Sequence, residues 1–224
     1  MLFPVGDDPN IGRHKPIFSY VFLGANVLVF LYQLTLATPE CERFMVHFGT
    51  IPLEIMNGED LFTLFTSIFL HAGFLHILGN MLFLWVFADN IESVIGSYKF
   101  ILFYLMGGLV ASAIHILFYP TSTIPTVGAS GAIAAVLGAY IVMFPKSKIK
   151  IRFLLFKPFM LTALIFLGIW FVHNLFSGLG SLGPESAQSG GVAWWAHIGG
   201  FVFGALLGLI MKKYIYEKDQ NSYT

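Results

Sequence analysis

A glycine-flanked serine, three histidines and an asparagine are the residues of this chain whose types and spacing can do chemistry. Ser130 stands in Gly128-Ala129-Ser130-Gly131, shortly after Pro125 and at the start of an apolar run. The first turn of a helix carries unpaired N–H groups and the positive end of the helix dipole. Flanking glycines let a substrate backbone come close. A serine so placed can attack a carbonyl while neighbouring N–H groups hold the oxyanion. The same tetrapeptide also suits an N-cap or a small-residue packing face. His197 lies in Ala196-His197-Ile198-Gly199-Gly200, and imidazole is the usual base for a serine nucleophile. His76 and Asn80 are four residues apart, hence on one helix face. Both donate hydrogen bonds while neutral, which suits either an oxyanion hole or a polar interhelical network. His71, five residues before His76, points elsewhere by about 140°.

These side chains need elements to hold them, and composition says what kind. Of 224 residues 57% are hydrophobic and only 11% charged, with 24 phenylalanines. Mean hydropathy is +0.78. Too few charges remain to cover a water-exposed surface, so the chain reads as an all-α integral membrane protein. Six apolar runs approach the roughly 20 residues that cross a bilayer. They lie at about 17–37, 67–88, 98–119, 128–144, 154–176 and 193–211. Residues 1–16 and 212–224 read as short tails, leaving 17–211 as one membrane domain. No internal repeat is visible, which argues against an inverted-repeat transporter. Asp7, Asp8, Pro9 and Pro16 interrupt the N-terminus, so a cleavable signal is not expected.

Charge orients the spans. With both termini cytoplasmic, eleven of the 12 lysines and arginines lie inside and only Arg43 outside, as the positive-inside rule requires. His71, His76 and Asn80, then Ser130, then His197 fall in the first halves of the second, fourth and sixth spans. All three spans run inward, so all five residues share the outer leaflet. Intramembrane polar residues are costly and mark function by default. The fourth span is short, about 26 Å at 1.5 Å per residue. Ser130 is therefore expected below the lipid surface, in a water-filled cavity. Ala196, Gly200, Gly204 and Gly208 repeat every four residues, as do Gly131, Ala135 and Ala139. Such stripes pack closely and would bring His197 to Ser130. No Asp or Glu sits at that depth, so a Ser–His dyad is expected rather than a triad.

His115, His173 and Asn174 read as interface or packing residues. Histidines in this number raise a metal alternative, but no HExxH motif is present. The lone Cys41 supports neither an internal disulfide nor a cysteine metal cluster. No cofactor is implied, and zero net charge offers no basic face for nucleic acid. The first outer loop, about 38–66, mixes prolines and charges with apolar residues, as an interface-lying, partly structured segment would. The fifth loop, about 177–192, is Gly- and Ser-rich and reads as a lid or as a plain connector.

At these motifs the chain resembles the rhomboid intramembrane serine proteases. The matching segments are HAGFLHILGN (71–80), GASG (128–131) and AHIGGFVFG (196–204), with Glu92 and Gly96 resembling the family's Glu-xxx-Gly. The resemblance covers about 17–211. It implies a six-helix bundle, Ser130 as nucleophile and His197 as general base. It further implies His76, Asn80 and the Ser130 N–H as oxyanion contacts, and His71 in support. It implies cleavage of single-span membrane proteins near the outer boundary of a cell membrane, with the fifth loop and fifth span gating lateral entry beside the second span. Two features depart from the family pattern. Phe62 and Thr63 stand where Trp-Arg is frequent, and Ala134 stands where some members carry a tyrosine packed on the histidine. The competing reading is an inert rhomboid-like protein that binds membrane proteins without cutting them.

Overall fold

In lipid, backbone groups must bond within their own segment, so proline-free apolar runs become helices. The computed structural model describes residues 2–7, 14–153, 157–182 and 191–221. Five of its helices are long and apolar enough to cross a membrane: α1 (Phe18–Thr35), α5 (Phe74–Ile95), α6 (Ser97–Phe118), α8 (Ala163–Gly180) and α9 (Trp194–Asn221). Between α1 and α5 run three short helices, α2 (Thr38–Phe48), α3 (Pro52–Met56) and α4 (Thr63–Thr66). The connection between α1 and α5 is thus structured. The remaining helix, α7 (Ser130–Met143), has 14 residues and is about 21 Å long. Every residue from Gly131 to Tyr140 is buried. A helix apolar on all faces belongs at the centre of a bundle, and α7 packs against α5, α6, α8 and α9.

The small-residue stripes make the α7–α9 contact. A methyl group on Gly204 would strike the Ala135 carbonyl, one on Gly200 the Gly131 carbonyl, and one on Gly138 the Phe201 carbonyl. The backbones touch, and only glycine fits between them.

Three expectations need correction. The fold is mostly helical but not all-α: β1 (Leu2–Gly6), β2 (Lys148–Phe153) and β3 (Phe159–Thr162) form an antiparallel sheet in the order β1-β2-β3. Residues 2–6, expected in a tail, are therefore a strand. The fifth span begins at Ala163 and not near 154, because β3 occupies the residues before it. Strand β2 alternates: Lys148, Lys150 and Arg152 are exposed while Ile149 and Ile151 are fully buried, the period of two that a half-buried strand requires. The second span starts at Phe74 and not near 67. A 3-10 turn (Ser67–Phe69) and the extended Leu70 precede it, and it runs on to Ile95.

Two carboxylates, Asp7 and the buried Glu92, fasten the end of the bundle remote from Ser130. Asp7 accepts hydrogen bonds from Asn90 Nδ2 (2.8 Å) and from the Tyr140 hydroxyl (2.6 Å). Glu92 accepts from the backbone N–H groups of Ile17 (2.8 Å), Phe18 (2.9 Å) and Ser19 (2.7 Å). Those are orphan donors at the start of α1, and a carboxylate is the natural cap for them. Gly96, at φ +84°, supplies the left-handed turn that lets α6 follow α5 directly.

Candidate active site

Ser130 is the first residue of α7. The loop before it is held from both sides. Gly128 N–H donates to the Ser67 carbonyl (2.8 Å), and Thr50 and Thr126 pair as an isolated antiparallel bridge. Thr50 Oγ1 is bonded in turn to Ser67 Oγ and to the carbonyl of Thr63, each at 2.9 Å. The connection between α1 and α5 thus braces the segment that presents the serine. Thr63, part of the Phe62-Thr63 departure from the family pattern, contributes through its backbone.

Four of the five candidate residues line one cavity of about 860 Å³: His76 and Asn80 from α5, Ser130 from α7 and His197 from α9. The short α7 stops where this cavity begins. Gly128 has φ +120°, and a methyl group on it would lie 2.7 Å from the His76 ring and 3.4 Å from Asn80 Nδ2. The two side chains therefore converge beside the serine's glycine, in a place kept open by the missing Cβ. The Ala72 N–H reaches His76 Nδ1 at 3.4 Å. An acceptor Nδ1 leaves the proton of a neutral ring on Nε2, a donor.

His71 does not line the cavity. It is 1% exposed and sits behind Asn80, with His71 Nε2 2.9 Å from Asn80 Nδ2. Gln33 of α1 holds the His71 backbone in both directions: its Nε2 donates to the His71 carbonyl and its Oε1 accepts from the His71 N–H, each at 3.1 Å. Burial, with His76 beside it, pushes the His71 imidazole down to about 4. The ring is thus neutral near pH 7, with a nitrogen available to accept from Asn80.

His197 has partners that sequence reasoning missed. Its Nδ1 lies 2.7 Å from Asn174 Oδ1 of α8. The rings of Trp170 and Trp194 stand 5.7 and 6.1 Å from the imidazole, centroid to centroid. Asn174 was expected to be a packing residue; it is 2% exposed and bonded to the histidine. The only signal in the sequence was another intramembrane polar residue at similar depth. His115 also lines the cavity. Over it the Tyr119 hydroxyl donates to the Ser181 carbonyl (2.6 Å), joining the end of α6 to the end of α8. The lid reading of the fifth loop rests on 177–192, of which 183–190 lie outside the described residues.

A family model for the rhomboid domain matches residues 58–214. The chain is 31% identical over 228 residues to the mitochondrial rhomboid protein 1 of Saccharomyces cerevisiae, covering 95% of this chain and 61% of that protein. It is 31% identical over 197 residues to the rhomboid protease GluP of Bacillus subtilis, covering 87% of this chain and 36% of that one. A putative rhomboid protease of the same bacterium, YdcA, is 37% identical over 91 residues, 41% of this chain and 45% of its own. The chain belongs to the rhomboid family and is a multi-pass membrane protein. It spans less than two thirds of each of these relatives.

Proposed function

We propose that the chain is an intramembrane serine endopeptidase that hydrolyses peptide bonds of single-span membrane proteins near the outer boundary of a cell membrane. The observation that carries this reading is one cavity lined by Ser130 and His197, with His76 and Asn80 converging at Gly128. His197 takes the Ser130 proton as the hydroxyl attacks the carbonyl carbon. The oxyanion is held by His76, Asn80 and the Ser130 N–H. His197 then gives its proton to the leaving amine, and water, activated by the same ring, releases the acyl-enzyme. No cofactor takes part. In this reading α7 is the fourth of six spans, shortened so that water reaches the serine.

A phosphonofluoridate tests the serine. Its phosphorus is expected to bond to Ser130 Oγ with loss of fluoride, because serine is reactive only when a base removes its proton. Mass spectrometry should find the adduct on the peptide spanning 121–146 in the wild type and not in His197→Ala. Equal labelling of the two, or none in the wild type, contradicts the reading. An inert binder gives no adduct.

The topology has its own test. With both termini cytoplasmic, Cys41 on α2 faces outward, and it is the one cysteine of the chain. A membrane-impermeant maleimide should modify it in intact cells. Modification only after permeabilisation would reverse the orientation.

A further inference from the structure

We infer that Asn174 completes a Ser130–His197–Asn174 triad as the positioning residue of the general base, an inference that rests on the proposed protease activity. Asn174 Nδ2 donates to the Trp170 carbonyl at 2.7 Å. A carbonyl accepts only, so the amide nitrogen belongs there and Oδ1 faces the imidazole. Oδ1 in turn only accepts, and it lies 2.7 Å from His197 Nδ1. The neutral ring therefore carries its proton on Nδ1. Nε2 is left with a lone pair, the tautomer that can take a proton from Ser130. When it does so, the imidazolium that forms keeps an oxygen dipole on its Nδ1–H. A carboxylate would hold that charge more strongly, but burying it at this depth is expensive. The neutral amide performs the orienting part of the task without that cost, as in serine- and cysteine-hydrolase triads whose third member fixes the ring.

The acceptor sits on a different helix from the base. His197 belongs to α9, which is locked against α7, whereas Asn174 belongs to α8, more lightly packed. The competence of the base thus depends on where α8 stands.

Two replacements separate positioning from packing. Asn174→Leu keeps the size and removes the acceptor. Asn174→Asp keeps the acceptor and packs worse in apolar surroundings. The measurements are kcat and KM for a single-span substrate in proteoliposomes, the rate of phosphonofluoridate labelling, and thermal unfolding. For Asn174→Leu, kcat and labelling rate should both fall roughly 10- to 100-fold, part of the 10²–10⁴ that general-base catalysis supplies. KM should stay within about twofold, since only the protonated form of the base is affected. For Asn174→Asp, labelling should stay within about tenfold of wild type, although the protein melts earlier. A packing role gives the opposite order, with leucine tolerated and aspartate harmful. Wild-type labelling by Asn174→Leu, or labelling by folded Asn174→Asp as slow as that of Asn174→Leu, overturns the triad and leaves the protease reading standing. Should Asn174→Leu fail to fold, the labelling rate of Asn174→Asp decides alone. A wild type that neither cleaves nor labels overturns both.

Discussion

Alanine at Ser130 or at His197 is expected to abolish cleavage while leaving the bundle folded. In serine hydrolases whose residues act as a unit, removing nucleophile or base costs about 10⁶ in kcat, and removing both costs little more. The Ser130→Ala/His197→Ala double variant should therefore be no worse than either single one. Ser130→Ala removes one hydroxyl from a residue that faces a cavity, so its melting temperature should stay near wild type. His197→Ala leaves the buried Asn174 Oδ1 without its donor, and a loss of about 1–3 kcal/mol in stability is expected. Proteoliposomes holding enzyme and a single-span substrate give the rate, and circular dichroism on heating gives the fold. Near-wild-type cleavage by Ser130→Ala would end the serine mechanism. Asn80→Ala should be milder, at roughly 10²–10³ or less, because it removes one oxyanion donor among several.

The second large effect concerns the α7–α9 contact. Gly204→Val should cost at least about 3 kcal/mol, the upper end of overpacking penalties. The new side chain meets the Ala135 carbonyl and the carbon beneath it. Backbone cannot rotate away as a side-chain tip can, so the helices must separate. Separation would also move His197 from Ser130, and activity should fall with stability. Gly168→Ala on α8 is the control, because a methyl group there meets nothing within 4 Å. Alanine favours a helix over glycine by about 1 kcal/mol, so that variant should melt no earlier than wild type. Equal melting of the two variants would show that the glycine stripe is not the contact that holds the bundle.

Some of this architecture was legible in the sequence because lipid makes hydropathy a strong constraint. The runs that became α1, α6 and α9 stand out, and so do the stripes of Gly200, Gly204 and Gly208 against Gly131, Ala135 and Ala139. The cavity followed from one number, the shortness of the run after Ser130. The sheet was missed for a different reason. The alternation Lys148-Ile149-Lys150-Ile151-Arg152 is a strand pattern, but a strand needs a partner, and half of its partner is Leu2-Phe3-Pro4 far away in the chain. Local pattern carries no register. The same limit hid Asn174. Helix α8 is apolar around most of its circumference, so periodicity does not say which face turns inward. Only the fold shows that a residue 23 positions before the histidine touches it.

The sheet has a consequence for how the chain is made. Asp7 bonds to the Tyr140 hydroxyl across 133 residues of sequence, and β1 pairs with β2, which is synthesised later still. At roughly 5–20 residues per second, β1 waits about 7–27 s before Tyr140 exists. During that time most of the bundle's helices are inserted, and an exposed strand edge is what other nascent chains would pair with. Pro4 has no N–H, so the waiting strand offers an interrupted ladder. Closing the sheet therefore waits until the chain has passed α7, and a ribosome that stops after α6 leaves a bundle with neither its central helix nor the strap that fastens it.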